Sequence, residues 1–127
     1  MGLKADYLPR DAMYLLRMGC EEIEKAYPNV GVYLVGSALE RGDYRDVDIR
    51  AIMHDEEFDA TFGGHGNRLG LTCMALSAWL KNMTGLPIDF QFQRMSIANE
   101  RHKGPRNAMF VVPWTGDGVK SSQPDNT

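Results

Sequence analysis

Apolar and polar positions alternate along two short stretches of this chain and recur at helical spacing along two longer ones. From 46 to 53, Val47, Ile49, Ala51 and Met53 alternate with Asp46, Asp48, Arg50 and Ile52, the period-2 pattern of a half-buried strand. Ile88, Phe90 and Phe92 alternate likewise with Asp89, Gln91 and Gln93, and predict a neighbouring strand with a polar face. The near-continuous apolar run Val30-Gly31-Val32-Tyr33-Leu34-Val35 predicts a strand covered on both faces, and it ends abruptly at Gly36-Ser37. An opening helix is predicted over about 10–26, with Leu15, Leu16, Ile23 and Ala26 in its apolar stripe and Pro28-Asn29 stopping it. Asn67 is placed as the cap of a second helix that carries Leu69, Cys73, Leu76, Leu80 and Met83 and ends near Gly85. Met74, Trp79 and Met83 of that helix are assigned to the core, where such residues at such spacing usually pack. Between the strands and this helix, His54-Asp55-Glu56-Glu57 reads as an acidic loop. Phe62-Gly63-Gly64-His65-Gly66 reads as a flexible connector, since it matches neither G-x-G-x-x-G nor the P-loop. The expected class is α/β (α+β), a mixed sheet flanked by helices.

The 127 residues suffice for one real core and leave little room for a second. The expected organisation is one domain over 1–115 and a tail over 116–127 too polar to bury, expected to be disordered. A net charge of −3 with a pI near 5.5 argues against a protein that coats nucleic acid generically, whose footprint is basic. Cys20 and Cys73 stand apart without a C-x-x-C motif, and no apolar run approaches the roughly 18 residues needed to span a bilayer. Met1-Gly2 opens the myristoylation pattern, but Asp6 stands where Ser or Thr is required. A reduced, cytoplasmic protein without membrane association is expected.

Candidate chemistry gathers at three places. Asp46 and Asp48 share one face of the first alternating strand, their backbones about 6.5 to 7 Å apart, and their carboxylates suit a hard cation such as Mg²⁺. Asp89 lies on the polar face of the neighbouring strand, and three carboxylates crowded together call for a divalent ion. Any one of them is equally at home on a solvated sheet face. At Gly36 the backbone is open to close approach by a ligand, and amides at the start of a following turn face an anion such as a triphosphate. Ser37 adds a hydroxyl, although Ser37-Ala38-Leu39-Glu40 also fits a capping box.

Other polar residues fit blander roles. His54, His65 and His102 have no zinc-ligand spacing, and Asp43 fits ordinary Gly42-Asp43 turn chemistry. Arg94, Arg101, His102, Lys103 and Arg106 form a basic segment that suits a polyanion or, equally, a solvated connector.

The order of an apolar strand, Gly36-Ser37, an Arg41-Gly42 turn, Asp46-x-Asp48 and Leu86-Pro87-Ile88-Asp89 resembles the minimal nucleotidyltransferases of the DNA polymerase β superfamily, over roughly residues 10 to 95. The spacer between Gly-Ser and the acidic pair is slightly shorter than is usual there, and Arg45 stands where small polar residues are common. The resemblance implies the nucleotidyltransferase fold, with Asp46, Asp48 and Asp89 as catalytic metal ligands for two Mg²⁺ ions (Mn²⁺ as substitute) and Gly36 and Ser37 as the nucleotide-binding turn. It further implies transfer of a nucleoside monophosphate from a nucleoside triphosphate, ATP by default, to a protein hydroxyl, an RNA end or a small molecule, with release of pyrophosphate. Because no accessory helical domain fits in the chain, a second protomer or a protein partner is expected to complete the acceptor surface, as in relatives that act as antitoxins to a helical toxin. Two other classes compete: a catalytically inactive module of the same fold that senses nucleotide or binds a partner, and a hydrolase using the same metals.

Overall fold

The computed structural model describes residues 7–27, 29–39, 42–63, 66–101 and 107–109. The first helix, α1 (Arg10–Ala26), carries Asp11 in its first turn and Lys25 in its last, both matched to the helix dipole. It buries Ala12, Met13, Leu16, Gly19, Cys20 and Ile23, a stripe at spacings of three and four. Leu15 is 36% exposed and Ala26 is exposed, so the expected stripe is corrected by about one helical position toward Cys20.

Strand β1 (Gly31–Val35) leads through a single 3₁₀ turn, Gly36–Leu39, toward β2 (Val47–Met53), which pairs with it antiparallel. A crossover then carries α2 (Asp55–Phe62) and α3 (Gly66–Thr84) before β3 (Ile88–Arg94) pairs parallel to β2. Parallel neighbours require such a crossover, because a tight turn cannot return the chain to the same end of the sheet. Helix α4 (Met95–Arg101) follows, and the two-residue β4 (Asn107–Ala108) pairs antiparallel with β1. The result is a mixed sheet in the order β3-β2-β1-β4, flanked by helices, as the patterning predicts.

The two faces of this sheet differ. Val32, Leu34, Val47, Ile49, Ala51, Met53, Phe90 and Phe92 form one core with Leu16 and Cys20 of α1, Phe62 of α2 and Leu80 of α3. Gly19 makes the close approach of α1 to α3 feasible: a Cβ there would stand 2.6 Å from Leu80 Cδ2. The other face presents Asp48, Arg50 and Ile52 from β2 beside Asp89, Gln91 and Gln93 from β3. Ile52 and Gln93 are buried there, as is Ala98 of α4.

Several expectations need correction. Helix α2 replaces the acidic loop at Asp55-Glu56-Glu57, because three acids in a first turn stabilise a helix N-terminus and Phe58 and Phe62, one turn apart, anchor it. Strand β2 is buried on both faces from Ile49 to Met53. β1 alternates instead, its Tyr33 side half-buried. Helix α3 starts at Gly66, so Asn67 is inside it. Met74 is 71% exposed and Trp79 38%, against the core assignment, because α3 buries only the side that carries Leu80. Asp46 precedes β2 by one residue. Glu40 and Arg41, Gly64 and His65, residues 102–106 and the tail over 116–127 lie outside the described residues. Among the described residues no helix is long and apolar enough to cross a membrane.

Candidate active site

Register brings Asp48, Asp89 and the Gly36 turn together. Val35, the last residue of β1, stands opposite Asp48, and Asp48 stands beside Asp89 on β3. The 3₁₀ turn that begins at Gly36 therefore emerges at the end of the row holding both carboxylates. Gly36 has φ +83°, in the left-handed region that glycine alone enters at low cost, and a Cβ there would collide with Asp48 Oδ2. The glycine thus serves twice: it turns the chain sharply, and it gives Asp48 Oδ2 the space a Cβ would fill. Ser37 follows, half-buried, in the same turn.

Asp48 and Asp89 face a common cation. Arg50, two residues beyond Asp48 on the same face of β2, places Nη2 3.2 Å from Asp89 Oδ2 and 3.7 Å from Asp48 Oδ1. Its Nη1 donates to the carbonyl oxygens of Asp89, at 2.7 Å, and of Ile49, at 3.0 Å. Arg50 is 9% exposed, and its buried Nε has no hydrogen-bond partner. Asp89 Oδ1 accepts a long bond from Gln91 Nε2 at 3.4 Å. Burial raises the Asp48 pKa above the ordinary carboxylate value; the Arg50 charge opposes this, and the negative charges of Asp89 and Asp46 add to it.

Asp46 is exposed just before β2 and touches the site through its charge on Asp48. Asp43 is exposed in its turn, as expected of turn chemistry. Among the described residues no three histidine, cysteine or acidic side chains already stand as a metal-holding cluster. Asp48 and Asp89 offer carboxylate oxygens, the ligand type that hard divalent ions take, and Asp48 Oδ2 occupies the space that a Cβ at position 36 would fill.

A groove of about 720 Å³ runs between α3 and the outer edge of β3, lined by Gly70, Met74, Ser77, Lys81 and Phe90 among others, and Asp89 borders it. The backbone of β3 beside this groove is already engaged by α3. The Phe90 amide donates to Ser77 Oγ at 2.8 Å and the Phe92 amide to Cys73 Sγ at 3.4 Å. Arg94 of the basic segment pairs with Asp59 and lies over the Phe58 ring, 4.8 Å from its centroid, while His102, Lys103 and Arg106 lie outside the described residues.

Arg50 is the site residue that pattern reading passed over, being treated as one more polar position of β2. Its signal was present, since a cation two residues from Asp48 on a strand otherwise apolar beyond it has an obvious partner in any adjacent carboxylate. Compared with known proteins, the chain matches no family model, no curated protein and no solved structure.

Proposed function

We propose that this chain is a metal-dependent nucleotidyltransferase that moves a nucleoside monophosphate from a nucleoside triphosphate, ATP by default, to a hydroxyl acceptor. The observation that carries the reading is the single row of β1 end, Asp48 and Asp89, with the positive-φ Gly36 turn packed directly against Asp48 Oδ2. A flexible surface has no reason to align a ligand-accessible turn with two carboxylates from different strands.

In this reading the exposed backbone of the Gly36 turn and the Ser37 hydroxyl hold the triphosphate. Asp46, Asp48 and Asp89 would hold Mg²⁺ or Mn²⁺, which supplies charge neutralisation at the phosphates and a lowered acceptor pKa when bound. Asp89 borders the groove beside α3, so an acceptor seated there meets a carboxylate able to take its proton. The acceptor oxygen bonds to the α-phosphorus as the bond to the departing pyrophosphate breaks, and the hydroxyl proton passes to Asp89. Free Cys20 and Cys73 accord with a reducing, cytoplasmic setting.

The test is incubation with each α-³²P-labelled nucleoside triphosphate and Mg²⁺ or Mn²⁺, with and without cell extract, beside a folded Asp46→Asn/Asp48→Asn variant. Label passing to a macromolecule or metabolite, and lost in the variant, is the expected outcome. Free monophosphate with no labelled acceptor would identify a hydrolase.

Two observations favour a second reading, a non-catalytic binding module. Arg50 already bridges Asp48 and Asp89, so this pair is neutralised in part without metal. Tyr14, Met18 and Trp79 are 67%, 47% and 38% exposed on α1 and α3, apolar surface suited to a second protomer or a protein partner. Nucleotide binding without transfer under any condition would select this reading.

A further inference from the structure

We infer that Arg50 is a built-in cation of the carboxylate site, holding the bridging place between Asp48 and Asp89, so that the nucleotide-free protein takes up one divalent ion rather than two. The inference rests on the proposed metal role of Asp46, Asp48 and Asp89, and it departs from the two-ion expectation.

Three observations support it. First, the guanidinium reaches the oxygens a bridging ion would need, Asp89 Oδ2 and Asp48 Oδ1. Second, it is tied down. Both Nη1 bonds run to backbone carbonyls, and moving the group out would forfeit them together with the carboxylate contacts. The guanidinium is planar, and its forked donors suit contact with two carboxylates at once. The register sets Tyr33 of β1 on one side of Arg50 and Gln91 of β3 on the other, enclosing it within the sheet. Third, the charges balance. Three carboxylates and one guanidinium leave two negative charges, which a single divalent ion neutralises, whereas a second would have to displace or repel the arginine. Asp46, exposed just before β2, adds its negative charge beside Asp48.

Arg50 is thus a positioning residue: it keeps Asp48 and Asp89 in register without metal and limits how many ions the site admits. The same device explains why Nε can be buried without a partner. The bonds of the two Nη atoms fix the plane of the guanidinium and leave no freedom to turn Nε toward an acceptor.

The experiment is a Mn²⁺ titration of the nucleotide-free protein, with the free ion followed by electron paramagnetic resonance, for wild type, Arg50→Met and Asp46→Asn/Asp48→Asn. One Mn²⁺ per wild-type chain, two per Arg50→Met chain and none in the double Asn variant are expected. Two ions in wild type, or an unchanged count in Arg50→Met, overturn the inference. Should Arg50→Met not fold, wild type alone decides through the ¹⁵N-edited spectrum of the Arg50 guanidinium. Resolved, slowly exchanging Nη signals that persist at saturating Mg²⁺ support a fixed cation. Their collapse to the averaged signal of an exposed arginine overturns it. Failure of labelled transfer with the ion count intact would reject the nucleotidyltransferase reading and leave the cation assignment standing. No Mn²⁺ uptake by any folded form would reject both.

Discussion

At the scale of single residues, Gly36 and Glu24 show how one position sets local energetics. A Gly36→Ala variant must carry a Cβ at φ +83° and against Asp48, so it is expected to lose about 1–3 kcal/mol in urea unfolding and to lose nucleotide binding as well. Glu24 sits on α1 and accepts the Val32 amide of β1 at 3.1 Å. Burial pushes its pKa up to about 7; the Val32 bond opposes the shift and Glu21 adds to it. The folded state therefore binds this proton more tightly than the unfolded chain does. The stability that results is complete below about pH 4.5 and is lost as pH rises through about 7. Glu24→Gln keeps an acceptor for Val32 and removes the titration, so it is expected to gain on the order of 1 kcal/mol at about pH 8 after discounting for exposure, and nothing at about pH 4. Urea midpoints across that range check the claim. Asp48, Asp89 and Gly36 were legible in the sequence because their chemistry follows from residue type and period-2 placement. Glu24 and Arg50 were not, since their roles depend on which strand lies beside them, and a pattern along one chain does not contain that.

At the scale of elements, the hold of α3 on β3 is the most testable packing feature. Strand β3 ends the sheet, and edge strands with free amides invite pairing with other chains. Here Ser77 and Cys73 satisfy the Phe90 and Phe92 amides. Ser77→Ala is expected to cost about 1–3 kcal/mol by stranding the Phe90 amide, and to increase self-association measured by sedimentation. Gly19→Val tests the neighbouring contact: its branched side chain meets the fully buried Leu80, and the overpacking is expected to cost about 1–3 kcal/mol by thermal or urea unfolding. The strand and long-helix elements were readable from periodicity. Helix α2 was not, because Asp55-Glu56-Glu57 is ambiguous until Phe62 is known to meet Phe92 of the sheet, with Phe58 against Phe62. Helix α4 and β4 gave too few residues for either period to register.

At the scale of the molecule, one core joins both ends of the described chain, from Leu8 to Met109. Phe90→Ala at the centre of that core, 1% exposed and edge-on to Phe92, is expected to cost about 3–5 kcal/mol in urea unfolding. The class, a mixed sheet with helices, followed from the order of periodic segments; which faces are covered did not, as Met74 and Trp79 show. The crossover between β2 and β3 has a consequence in time. Gly36 and Asp48 meet across an antiparallel pair closed by a short connection, whereas 39 positions separate Arg50 from Asp89. Longer closures cost more entropy and form later, so β1 and β2 are expected to gain amide protection before β3 in pulsed hydrogen exchange. On the proposed function, chemistry is thereby tied to completion: a ribosome-bound chain that has emerged only as far as β2 displays the turn, Asp46 and Asp48, yet owns no finished site until α2 and α3 have carried the last carboxylate home.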